Sequence, residues 1–240
     1  MSRALSHAVS AELIKLCGLP AVLAATLGTV AAATVISAAL AASPMDPAEP
    51  TAIVRQAVPY LQVGTIVLGI LSAGTEYAGG QIRTTLTALP DRPLLLAGKA
   101  IAYLLWAAGT AAAALAAGLL TAGTTLAVRD VPGSAAGTPW TIVGAAGYLV
   151  LIGLLGQAVA VLTRSLVPAL VVLLGLLLVV SPLLGGVTEQ ARYLPDQAGA
   201  LLYLPGADRI LTPVTGLLVL LAWIATTVIA TVAATLCRDA

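Results

Sequence analysis

Residues 100–128 read AIAYLLWAAGTAAAALAAGLLTAGTTLAV, 29 consecutive positions without an acidic or basic side chain. At 1.5 Å per residue, a helix over this run crosses a hydrocarbon layer of about 30 Å with residues to spare. Five more uncharged runs occupy 16–45, 56–75, 131–163, 165–188 and 210–237. A Lys, Arg or Asp at the centre of a membrane helix costs about 2.5 to 3.5 kcal/mol, so charges mark where spans stop. Trimming polar and Pro-rich ends predicts spans near 19–42, 56–75, 100–127, 140–163, 165–184 and 213–236. With 60% hydrophobic and 9% charged residues and a mean hydropathy of +1.04, the chain cannot be a water-soluble globule. The expected fold is an all-α integral membrane domain over residues 1–240, with six transmembrane helices.

Six crossings place both termini on one side. If that side is cytoplasmic, the inner segments hold Arg3, Lys15, Arg83, Arg92, Lys99, Arg164 and Arg238, against Arg55, Arg129, Arg192 and Arg209 outside. The positive-inside rule favours this orientation. A secretory signal cleaved near Ala42 is the competing reading of the N-terminus; its apolar core would run to 7–15 residues, whereas this run has about 24. Cys17 and Cys237 then lie at cytoplasmic ends, where a disulfide is not expected.

The segments between spans are informative. Leu5, Val9, Leu13 and Leu16 form one helical stripe, which suits a helix lying in the inner interface, or else a frayed tail. Pro20 re-aims the chain into the first span. Residues 185–211, GGVTEQARYLPDQAGALLYLPGADRIL, are too apolar for an ordinary loop and too interrupted to cross. They read as a re-entrant or interfacial pair of short helices on the outer side, with an irregular loop as the alternative. Residues 76–93, EYAGGQIRTTLTALPDRP, contain a short helix from Gln81 to Leu89 that carries Ile82, Leu86 and Leu89 on one side and is stopped by Pro90. It is an inner-face helix able to dock on a partner, or a solvated connection.

Catalytic and metal signatures are missing. There is no HExxH, GxSxG or CxxC, and His7 is the single histidine. Gly98-Lys99 resembles the end of a phosphate loop, but Ala100 stands in place of Ser or Thr. We therefore expect no enzyme activity and no cofactor on this chain. A net charge of +1 leaves no basic surface for nucleic acid. With acids and bases confined to the segment ends, no proton relay or charged selectivity ring is expected within the spans. Gln62 and Gln157 are the candidate path-lining polar residues; interhelical hydrogen bonding is their alternative role. The only GxxxG spacing, Gly133 to Gly137, falls in a loop, so helix packing is expected to use diffuse Ala and Gly surfaces.

The run EYAGGQIRTTLTALPDRPLLLAGKA, together with SAELIKL at 10–16, resembles the permease subunits of type-2 ATP-binding-cassette (ABC) transporters, especially compact bacterial ones rich in Ala and Leu. Glu76, Tyr77, Gly80, Ile82, Arg83, Thr84, Leu86, Pro90, Arg92 and Lys99 match the cytoplasmic loop after the second span, and Glu12 and Lys15 match the N-terminal elbow. The chain departs from the family at Ala78 and Asp91, where basic residues are common, and at Cys17, where Arg is frequent. The resemblance implies an elbow helix (4–17), a cytoplasmic coupling helix within the loop 76–99, and a short re-entrant element (185–211) before the last helix. Glu76, Gln81, Ile82, Arg83, Thr84, Leu86, Leu89 and Arg92 would then dock on the ATPase.

It further implies a multi-pass permease of the bacterial cytoplasmic (cell inner) membrane that exports a drug-like natural product, lipid or hydrophobic peptide. Its partners would be two copies of a cytoplasmic ABC ATPase, which hold ATP and Mg, and a second permease subunit, identical or paralogous. Membrane lipid would surround the pair. A non-transporting scaffold or immunity subunit of the same fold is the alternative.

Overall fold

The computed structural model describes residues 3–43, 49–78, 92–130, 139–208 and 210–238. Among them there is no strand. Helix α1 covers Arg3–Gly18, α2 Pro20–Ala42, α3 Pro50–Ala78, α4 Arg92–Val128 and α5 Pro139–Thr163. Helix α6 covers Leu166–Gly185, with a π-helical stretch at Leu176–Val180, and a 3-10 turn follows at Glu189–Tyr193. Helix α7 is the short Pro195–Ala200, and α8 is Pro213–Arg238. From α2 onward, the six long helices are each long and apolar enough to cross a membrane.

Prolines set many of these starts. Pro20, Pro50, Pro139, Pro195 and Pro213 are each the first residue of a helix, where the missing N–H has no intrahelical partner to lose. Two expected boundaries therefore move. Helix α3 begins at Pro50 rather than near 56, and α4 at Arg92 rather than near 100, so Arg55 and Lys99 lie inside long helices. Charge gaps locate the apolar part of a helix, whereas the backbone continues past Lys99, which is paired with Glu12, and past Arg55, whose buried Nε has no hydrogen-bond partner. Pro93 likewise sits in the first turn of α4 instead of a connection.

Helix α3 is the centre of the bundle. It packs along α5 and also touches α2, α4 and α6, and 67% of its span is buried. Helices α2, α6 and α8 are peripheral; only 17% of the α8 span is buried, and Val214, Leu218 and Ile229 point outward. An aqueous protein would bury these side chains, whereas lipid solvates them at no cost. Threonines within the helices close on themselves: Thr29, Thr34, Thr75 and Thr121 each donate to the carbonyl four residues earlier. Helix α1 packs on α4 and α2, with Val9 and Leu16 buried and Leu5 and Leu13 beside them, as the stripe predicts. Helix ends are tied across the bundle as well, since Arg129 Nη1 donates to the Ala41 carbonyl at the end of α2 (2.7 Å).

Glycine supplies close approaches at positions spread over α3, α4, α5, α7 and α8, in keeping with diffuse packing surfaces. A Cβ on Gly69 of α3 would strike the Gly153 carbonyl of α5, and one on Gly153 would strike the Thr65 carbonyl and the Tyr103 hydroxyl. The two helices meet backbone to backbone at this point.

Candidate functional site

Two polar clusters lie in this apolar bundle, near opposite ends. The first is built on α1 and the start of α4. Lys99 Nζ lies 2.9 Å from Glu12 Oε2, and both side chains are at least nine-tenths buried. Lys15, one turn on, approaches the same oxygen at 3.7 Å and is partly exposed. One carboxylate oxygen thus sits between two ammonium groups. The cluster continues inward: Gln157 Nε2 on α5 donates to Ser72 Oγ on α3 (3.0 Å) and to the Lys99 carbonyl (3.4 Å). Through four side chains, α1, α3, α4 and α5 are joined at one level. Beside it, a recess of about 320 Å³ is bounded by α4, α5 and α8, with Lys99, Gln157 and Thr231 as its polar members among Leu, Ala and Val.

The second cluster gathers the connection between α6 and α8 onto the bundle. Tyr148 of α5 donates its hydroxyl to Gln62 Oε1 on α3. Its ring packs against Tyr203 at a centroid distance of 5.4 Å. Ser181, the residue after the π-helical stretch of α6, donates to Asp196 Oδ2 of α7 (2.5 Å), and Gln197 Nε2 reaches both Ser181 (3.2 Å) and Asp196 (3.4 Å). A π-helical segment shifts side-chain register by one position and recurs where a helix must present a particular side chain. Trp223 of α8 donates to the Tyr193 carbonyl, and Arg192 bridges Glu189 (2.9 Å) and Asp208 (3.7 Å). The short helices expected in 185–211 are present and are held at many points.

Asp196 is buried, and its Oδ1 has no hydrogen-bond partner. Burial pushes its carboxyl above the usual value of 3.8, against the opposing pull of hydrogen bonds from Ser181 and from the backbone and side chain of Gln197. The same burial, with Asp196 adding to it, raises the Tyr203 phenol. An acid whose folded pKa exceeds its unfolded one stabilises the fold fully below the unfolded value, and that contribution is lost as pH rises through the folded value. Asp196→Asn should therefore be more stable than the natural chain at pH 7 by about 1 kcal/mol, with the difference vanishing near pH 4. Thermal unfolding in detergent across that range reads it, and a difference that does not vary with pH would contradict the assignment.

The candidates from the sequence divide as follows. Glu12 and Lys15 are together on α1, and Glu12 is buried in an ion pair rather than displayed. Gln62 and Gln157 are both buried in interhelical hydrogen bonds, one in each cluster. Glu76 falls in the last turns of α3 and Arg92 begins α4. Gln81, Ile82, Arg83, Thr84, Leu86 and Leu89 lie outside the described residues. Lys99, assigned to the loop by spacing, is the cation of the buried pair, and the absence of charge expected within the spans does not hold there. Ser181, Asp196 and Tyr148 went unrecognised; the one sequence signal was an acid three residues after an aromatic within an apolar stretch. No family model matches the chain, and comparison with curated proteins finds no match.

Proposed function

We propose that this chain is the membrane-spanning permease subunit of an ATP-driven exporter, moving an amphipathic or hydrophobic cargo across a bacterial cytoplasmic membrane with energy from a separate ATPase. The observation that carries the reading is the Glu12–Lys99 pair, considered with the motif that flanks it. Residues 79–91 join α3 to α4, and they hold the run that resembles the family's coupling loop. Lys99 stands seven residues into α4, so a displacement delivered at that loop reaches α1 through Glu12 and α5 through Gln157.

In this reading α1 is the elbow helix in the inner interface, and residues 185–211 hold the outer re-entrant element. Both termini are cytoplasmic. Two permease subunits form the path, and two ATPase subunits dock on Gln81–Leu89, positioned by Glu76, Arg83 and Arg92. Closure of the ATPase pair around ATP pushes the loop and tilts α3 and α2, shifting the path between inward-closed and outward-open states. Coupling requires that the docked loop be bound more tightly in one state than in the other. The apolar walls of the bundle suit a hydrophobic cargo.

The test is purification of the tagged chain from its native membrane. A soluble subunit carrying GxxxxGK[ST] should accompany it, with ATPase activity stimulated by hydrophobic cargo. Arg83→Glu should leave membrane insertion intact while hydrolysis no longer drives transport. Labelling of Thr85→Cys from the outer medium, or a chain that never brings an ATPase with it, would overturn the reading.

A further inference from the structure

Gln157 uses only half of its amide inside the bundle. Ser72 donates its own hydroxyl proton to the Gly69 carbonyl (2.7 Å), so toward Gln157 it can only accept, and the Lys99 carbonyl is likewise an acceptor. Both partners therefore take Nε2, which fixes the orientation of the amide. The oxygen is left over. Among the described residues nothing donates to Gln157 Oε1, although the residue is only 4% exposed. Unlike Asp196 Oδ1, that oxygen is not sealed off by its neighbours, and the opening that Gln157 lines is the recess between α4, α5 and α8. Thr231 lines it too and donates its proton to the Thr227 carbonyl (2.8 Å), which leaves it only lone pairs to offer. Lys99, the third polar member, holds its ammonium 2.9 Å from Glu12 on α1.

Depth decides what can answer such an oxygen. Helices α5 and α8, with 25 and 26 residues, are about 37 and 39 Å long and overrun a hydrocarbon core of about 30 Å by about 4 Å at each end. Gln157 and Thr231 stand about 9 to 10 Å from the ends of their helices, and so lie about 5 Å within that core. An acceptor left without a donor at this depth is costly, and acyl chains carry no donor to relieve it. We propose that the recess binds an uncharged, largely apolar molecule that enters from the bilayer past Val228 and Val232 and gives one hydrogen-bond donor, a hydroxyl or amide N–H, to Gln157 Oε1. A carboxylate or phosphate would set acceptors against acceptors. The size suits a small molecule, since about 320 Å³ is at the low end of the roughly 300 to 1,000 Å³ of ligand pockets, whose apolar walls usually hold a few placed polar groups. The inference needs only that the bundle lies in a bilayer; it concerns binding alone and stands or falls separately from transport by an ATPase.

The test uses 1-octanol and its isomer heptyl methyl ether, which share every atom type and differ in the donor. Each is tritiated and titrated against the purified full chain in nanodiscs, with uptake by empty nanodiscs subtracted. The alcohol should bind saturably at one site, and the ether about tenfold more weakly, the effect of one hydrogen bond to a buried acceptor. Gln157→Met keeps the side-chain length and leaves Ser72 bonded to Gly69, so it should lower alcohol binding about tenfold, to the level of the ether, and leave the ether unchanged. Val228→Trp, placed at the mouth from a position that is 44% exposed, should weaken both ligands together. Circular dichroism confirms that each variant is folded. Equal binding of the two isomers to the natural chain, or no saturable binding of the alcohol, overturns the proposal. So does a preference for the alcohol that survives in folded Gln157→Met, or alcohol binding unchanged in folded Val228→Trp.

Discussion

Glu12→Gln should lower the stability of the folded chain by about 3 to 5 kcal/mol, the usual cost of removing one partner from a buried ion pair. The substitution takes the carboxylate from between the buried Lys99 ammonium and Lys15. Lys99→Met should cost less, because Glu12 keeps Lys15 at 3.7 Å and that lysine reaches solvent. Lys15→Gln should cost least, near the 0 to 1 kcal/mol typical of exposed pairs. The double variant Glu12→Gln with Lys99→Met should recover most of the loss, since an uncharged pair has no desolvation to offset. Unfolding in mixed micelles at rising denaturing-detergent fraction gives the four free energies. A coupling between positions 12 and 99 below about 0.5 kcal/mol would show that the two charges do not meet.

The pair also shows where reading the sequence stops. The six spans were legible because an unpaired charge in hydrocarbon is expensive, so the charges punctuate the chain. That same logic moved Lys99 into a loop, because its partner is 87 residues away and nothing local announces it. Arg55 shortened the second span in the same way, although α3 runs on to Pro50. Short-range chemistry fared better: the stripe of α1, the proline that opens α2 and the broken character of 185–211 appear where local preferences put them. Gln62 and Gln157 were noticed as polar, but their partners on other helices fix their role, and those partners come from tertiary packing. Asp196 went unrecognised, since its partner Ser181 stands 15 residues earlier, directly after the π-helical stretch.

Which glycines meet which backbones was the least legible feature, and one such contact carries the second large effect. Gly153→Leu should abolish stable folding, and Gly153→Ala should cost at least the 1 to 3 kcal/mol of ordinary overpacking. An added Cβ meets the Thr65 backbone on α3 and the Tyr103 hydroxyl on α4, and backbone cannot rotate away as a side chain can. The helices must separate. That would break the bonds from Tyr103 to the Thr65 and Val150 carbonyls and loosen Gln157 from Ser72 one turn further along. Gly109→Ala is the matched control: nothing lies within 4 Å of its Cβ position, so the higher helix propensity of Ala should stabilise by up to about 1 kcal/mol. The opposite signs of one chemical change at two sites isolate the helix contact from propensity. Equal stability of the two alanine variants would mean that α3 and α5 do not touch through their backbones. If they do, the helix that leads into residues 79–91 is fastened rigidly to the middle of the bundle, and a force applied at that loop moves α3 and α5 as one body instead of dissipating between them.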